Sequence, residues 1–262
     1  RRRTVEIKMI YRNYFRPIPY RILGCVLAVI AISGTERSLF AQQPENGWGK
    51  WGAPYKDPER WEAKIREFEE RDLKSPPPEG AVVVVGSSSI GLWRTIHRDL
   101  APLTVIHRGF GGSNYNDLLH FTDRLVVNYK PRAVVVYEGD NDAAGRRPPG
   151  VVFPKVVEFV LRVHEALPDC RIYFLSAKPS PLRFDRWDYY LDNNRTMEAF
   201  CRSDDRLAYV DIASAMLGED GSPLPEIYAE DRNHMNEKGY EIWTRVLREQ
   251  IIPVEAPHEA KE

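Results

Sequence analysis

The chain has 262 residues, with 37 Lys plus Arg against 38 Asp plus Glu, and its net charge of -1 excludes a globally basic nucleic-acid binder. A hydrophobic share of 43% and an aromatic share of 11% exclude an intrinsically disordered chain. The near-zero charge averages two unlike parts: residues 1–41 carry a net +6, and the remaining 221 a net -7.

Within the basic part, Ile22 to Ser33 is an uncharged apolar run between Arg21 and Glu36. A membrane-spanning helix needs about 20 apolar residues, so this run is short for one. A basic stretch, a short apolar run and the small Ala41 before Gln42 match a secretory signal. The expectation is export to the periplasm or beyond, with an uncleaved membrane anchor over residues 22–33 as the alternative. Without this leader only Cys170 and Cys201 remain. They are expected as two free buried thiols, since a disulfide demands a close backbone approach that nothing in the sequence implies.

Residues 42–79 read as a lead-in with one helix over Glu59 to Leu73, where Trp61, Ile65 and Phe68 recur at helical spacing. Pro76-Pro77-Pro78 ends it, and Gly80 leads into Ala81 to Val85, a continuous β-branched run of the kind buried on both faces of a parallel sheet. Further strands are expected at Thr104–His107, Ala133–Tyr137, Arg171–Leu175 and Leu207–Val210. Helices are expected at Asn114–Asn128, Phe153–Leu167, Asp192–Cys201 and Glu237–Gln250, the last with Ile242, Val246 and Ile251 inward. Strands alternating with helices predict an α/β fold: a three-layer sandwich around a five-stranded, mostly parallel, doubly wound (flavodoxin-like) sheet. One domain over residues 80–252 and a charged tail over 253–262 complete the division.

Ligands of such sheets bind beyond the carboxyl ends of the strands. Gly86-Ser87-Ser88-Ser89 follows the first strand and places a hydroxyl at a strand-to-helix turn. A phosphate cradle is the competing reading, but neither GxxxxGK[ST] nor GxGxxG is present. Gly109-Phe110-Gly111-Gly112-Ser113-Asn114 follows the second strand, with backbone N–H groups free to approach a substrate. After the third comes Gly139-Asp140-Asn141-Asp142, in which Asn141 is a candidate side-chain donor. Asp231-Arg232-Asn233-His234 then precedes the last helix, at a spacing that lets a carboxylate orient an imidazole. A metal site of Asp231 and His234 alone lacks a third ligand. Of the other histidines, His164 falls on an apolar helix stripe and is expected in the core, whereas His258 is expected in solvent.

In this order, the four blocks resemble the SGNH (GDSL-type) hydrolase family over roughly residues 80–250. Two positions depart from it: Ser87 stands where the family usually has Asp, and Arg232-Asn233 replaces a Gly-containing middle. The stretch from Trp61 through the three prolines into Val85–Ile90, with Ala177-Lys178-Pro179-Ser180-Pro181, also looks like a bacterial branch related to platelet-activating-factor acetylhydrolases. The resemblance implies a serine esterase with Ser88 as nucleophile (Ser89 the runner-up register), His234 as general base and Asp231 as its partner. It further implies an oxyanion hole from the Ser88 and Gly112 N–H groups and the Asn141 side chain. Neither cofactor nor metal is implied, and the partner is a small-molecule or glycan ester rather than a nucleic acid. A non-catalytic glycan-binding module on the same scaffold is the alternative. The loops Ala143 to Phe153 and Pro179 to Tyr190 are expected to line the pocket; Lys178, Arg183, Arg186 and Trp187, at or near the limits of the second, could bind a sugar or an anionic leaving group, with solvated surface the preferred reading.

Overall fold

The computed structural model describes residues 54–259. The leader over residues 1–41, with its signal and anchor readings, lies outside the described residues. Five strands follow one another at or near their expected positions: β1 (Val82–Gly86), β2 (Val105–Gly109), β3 (Ala133–Tyr137), β4 (Arg171–Leu175) and β5 (Leu207–Val210). They form one sheet in the order β2-β1-β3-β4-β5, and every neighbouring pair is parallel. Because alternate side chains point to opposite faces, Val83, Val85, Val134, Val136, Ile172 and Phe174 build one core. Val82, Val84, Ala133, Val135, Tyr173 and Leu175 build the other.

Helices cover both faces. On the first lie α1 (Glu62–Lys74), the short α4 (Tyr115–His120) and α5 (Thr122–Leu125), then α7 (Pro149–Ala166) and α8 (Trp187–Cys201). On the second lie α2 (Ser88–Gly91), α3 (Ile96–Asp99) and α9 (Glu237–Gln250). The remaining short helices are α6 (Asp140–Ala144), at the carboxyl end of β3, and α10 (Ile252–Glu255). No helix among the described residues is long and apolar enough to cross a membrane.

Several elements differ from expectation for local reasons. The helix expected over Asn114–Asn128 breaks into α4, α5 and a 3-10 turn at Val127–Tyr129. At the break the Thr122 hydroxyl donates to the Leu118 and Leu119 carbonyls (2.9 and 3.0 Å), back-bonding that bends helices. Helix α7 starts four residues early because Pro149 suits a first helical position. Helix α8 starts at Trp187, five residues before the expected helix, because its buried stripe of Tyr190, Asn194, Met197 and Cys201 begins earlier. In α9 the inward side chains are Trp243, Val246 and Leu247, and Ile242 is only half-buried.

Cys170 and Cys201 are free and buried, as expected. Burial pushes both thiols up to about 12. His164 is half-buried, its Nε2 3.0 Å from the Cys170 carbonyl, and His258 is exposed. The segment expected as a charged tail instead folds back as α10, and Glu255 is fully buried beneath the sheet.

Candidate active site

Strand β1 ends at Gly86, where a Cβ would lie 2.2 Å from the Tyr137 carbonyl oxygen, so only glycine fits. The chain then turns through Ser87 into α2, which opens with Ser88. Of the three serines, Ser87 and Ser89 are buried and their hydroxyls have no hydrogen-bond partner among the described residues. Ser88 is partly exposed, with its Oγ 2.9 Å from His234 Nε2.

His234 belongs to the turn before α9. Asp231 Oδ1 accepts the Asn233 and His234 N–H groups, both at 2.9 Å, and Asp231 Oδ2 lies 2.5 Å from His234 Nδ1. Arg232 closes this turn at φ +59°, the left-handed region that a glycine would occupy without strain. Partial burial would push the Asp231 carboxyl up, but the Asn233 N–H, the His234 ring and the His234 N–H together hold it at about 2. An ionised carboxylate on Nδ1 fixes the proton there and leaves Nε2 to accept the Ser88 hydroxyl. Asn236 caps α9 by accepting the Gly239 N–H, while its Nδ2 donates to the Glu226 and Tyr228 carbonyls, which fastens the turn to its neighbours.

The second loop comes close to Ser88. A Cβ on Gly109 would lie 2.1 Å from the Gly91 nitrogen, so β2 ends against the end of α2. A Cβ on Gly111 would sit 4.0 Å from Ser88 Cβ, and Gly112 follows at φ +75° with Trp61 beside it. Asn141 enters α6 from β3, and its Nδ2 donates to the Ser113 carbonyl at 2.8 Å. The structure therefore brings Ser88, His234 and Asp231 into one hydrogen-bonded chain, and it ties Asn141 to the residue that follows Gly112.

Other residues hold this arrangement and carried little or no sequence signal. Tyr55 donates to Asp142 Oδ1 (2.5 Å), and Asp142 Oδ2 accepts the Tyr115 N–H (3.2 Å). Arg60 and Trp61 both donate to Asp117 Oδ2 (2.5 and 3.3 Å), clamping the lead-in onto α4. Asn114 and Asp117 form a reciprocal cap, and their spacing is the one signal that could have pointed to Asp117. The Ser113 hydroxyl donates to Glu138 Oε1 at 2.5 Å. Burial pushes the Glu138 carboxyl well above its ordinary range, and Asp142, Asp117 and Asp140 add to the rise despite the Ser113 bond.

The solvated-surface reading is corrected for Lys178 and Arg183, whereas Arg186 keeps a side-chain exposure of 36%. Lys178 is 1% exposed and Arg183 is largely buried, both drawn in by the buried Asp140 carboxylate (3.1 and 2.6 Å). Burial would raise Asp140, but Lys178 and Arg183, with the Tyr190 hydroxyl, hold it well below the usual carboxylate range. Among the described residues no group of three or more His, Cys, Asp or Glu is arranged to hold a metal ion.

The GDSL-like Lipase/Acylhydrolase family matches residues 84–242, more than half of the chain and all four blocks. The chain belongs to this family. Membership makes the protein a hydrolase acting on ester bonds. No curated protein matches the chain. Among solved structures, a GDSL-like lipase from Bacteroides thetaiotaomicron is 22% identical, with a TM-score of 0.63 over 73% of this chain and 98% of that one. A protein from Streptococcus pneumonia described as a candidate platelet activating factor is 15% identical, with a TM-score of 0.65 over 72% of this chain and 91% of that one. An acetyl-xylooligosaccharide esterase from Geobacillus stearothermophilus is 16% identical, with a TM-score of 0.52 over 66% of this chain and 94% of that one. These likenesses show the family's α/β fold around the parallel sheet.

Proposed function

We propose that the protein is a serine esterase that cleaves carboxylic esters through an acyl-enzyme on Ser88. The observation that carries this reading is the Ser88 Oγ···His234 Nε2 contact of 2.9 Å, continued from Nδ1 to Asp231 Oδ2 at 2.5 Å. Ser88 Oγ attacks the ester carbonyl carbon as its proton passes to His234 Nε2. Asp231 stays ionised and stabilises the imidazolium. The carbonyl oxygen becomes an oxyanion facing the Ser88 N–H, in the first turn of α2 where N–H groups lack intrahelical acceptors. The Gly112 N–H and the second Nδ2 hydrogen of Asn141 complete the hole. His234 then protonates the departing alcohol, and water repeats the cycle to release the acid and restore Ser88.

The substrate class we infer is a small acyl ester, acetyl esters of carbohydrates or lipids being the first to assay. The acetyl-xylooligosaccharide esterase of like fold supports the carbohydrate arm. We also propose that the protein acts outside the cytoplasm, on the strength of the basic and apolar pattern of residues 1–41. Replacing Ser88 with Ala should abolish turnover of a short-chain aryl ester with an unchanged circular dichroism spectrum. A serine-directed phosphonate should label Ser88 in the parent protein. Undiminished turnover in Ser88→Ala would refute the assignment, and an unlabelled, inactive parent would favour a glycan-binding module.

A further inference from the structure

We propose that Arg183 is a positioning residue that fixes the Asn141 amide for the oxyanion, an inference that rests on the esterase reading above. Arg183 Nη1 donates to both Asp140 Oδ1 (2.6 Å) and Asn141 Oδ1 (3.2 Å). At the other end of the same amide, Asn141 Nδ2 donates to the Ser113 carbonyl. An amide has two N–H donors, so one hydrogen remains after the Ser113 bond. A flipped amide would point its NH2 at a guanidinium and its oxygen at a carbonyl, two repulsive contacts. Arg183 and Ser113 thus admit one orientation of Asn141.

The charges around Asp140 extend the argument. Asp140 accepts from Lys178 and Arg183, and also from the Tyr137 (3.0 Å) and Tyr190 (2.8 Å) hydroxyls. Asp140 thereby holds the Arg183 guanidinium beside the Asn141 carbonyl oxygen. The loop that carries Arg183 is in turn bonded to the turn that carries the base. Leu182 N–H donates to the Arg232 carbonyl (3.0 Å), and the Ser180 hydroxyl donates to Asn233 Oδ1 (3.1 Å). The loop that places Arg183 is thus fastened to the turn of His234 through Leu182 and Ser180.

The test is a double-mutant cycle in the full chain with a short-chain aryl ester. Arg183→Met should lower kcat about 10- to 100-fold, because misaligning a positioned group by an ångström costs up to that much. KM should stay within about twofold, the pattern of an interaction made in the transition state alone. Asn141→Ala should cost on the order of 10²–10³, as loss of an oxyanion donor does. Adding Arg183→Met to Asn141→Ala should change kcat by less than about twofold, because both act on one amide. Thermal melting checks the fold, and Arg183→Lys, which retains the charge at Asp140, should recover part of the lost kcat without changing KM. An unchanged kcat in a folded Arg183→Met, or losses that multiply in the double variant, would overturn the role of Arg183. Full turnover in Ser88→Ala and Asn141→Ala would instead bring down both readings together, a separate pattern.

Discussion

Two neighbouring carboxyl groups near Asn141 illustrate how burial and partners decide protonation. Asp140 meets two cations that favour its charged form, whereas buried Glu138 meets one hydroxyl and three acidic neighbours and is pushed to keep its proton. The folded chain keeps that proton where the unfolded chain releases it, so Glu138 lowers stability as pH rises above the ordinary value of 4.5. Glu138→Gln imitates the neutral acid at every pH. Its melting temperature should gain on the parent between pH 5 and pH 8, by about 2–4 °C for each kcal/mol of ionisation cost removed. Parallel melting curves across that range would show Glu138 to be ionised. At this scale the sequence exposed Ser88, Asp231 and His234 through block order alone. It could not expose Arg183 or Lys178, because a cation 38 or more residues from Asp140 looks like any surface charge until the fold joins them.

Among the elements, strand positions were legible because continuous Val runs bounded by Gly and Pro have few other uses in a soluble domain. Helix limits were less legible, since Thr122 back-bonding and the late apolar stripe of α8 depend on what each helix packs against. The junction of β2 with α2 shows the tightest fit. Gly109 lies against the Gly91 backbone, which cannot yield as a flexible side chain would. Gly109→Ala should therefore destabilise the protein by about 2–3 kcal/mol, as overpacking a rigid contact does. It should also reduce hydrolysis in whatever fraction stays folded, because Ser88 starts the same short helix. Urea denaturation with a parallel ester assay reads both effects, and a wild-type midpoint would contradict the close approach.

At the scale of the molecule, the end of the sheet opposite the active site is closed by the last described residues. Glu255 accepts from Arg171 (2.6 and 2.8 Å), Tyr173 (2.6 Å) and Arg132 (3.2 Å), while Glu259 accepts the Thr104 N–H at 2.8 Å. Arg132 also donates to the Gly80 carbonyl at 2.5 Å. Burial would raise Glu255, but Arg171, Tyr173 and Arg132 hold its carboxyl below the ordinary value. Its contribution is therefore present above that value and is lost as pH falls through the folded one. Glu255→Ala leaves Arg171 without its carboxylate, while Arg132 keeps Glu259 and the Gly80 carbonyl, and should cost about 3 kcal/mol by removing one side of a buried pair. The rate per folded molecule should be unaffected, and chemical denaturation beside active-site titration with a phosphonate separates the two quantities. None of this could be read from a charged C-terminal stretch, whose residues look solvated until strand entrances surround them.

The distance in sequence between Ser88 and His234 also imposes an order on the assembly of the proposed site. Ser88 and His234 are 146 residues apart, and Glu255 comes later still. During translation Ser88 leaves the ribosome long before His234, so on the reading proposed above the nascent chain carries an ordinary hydroxyl. On the esterase reading proposed above, a chain halted short of residue 231 lacks both the base and its carboxylate and should not hydrolyse esters.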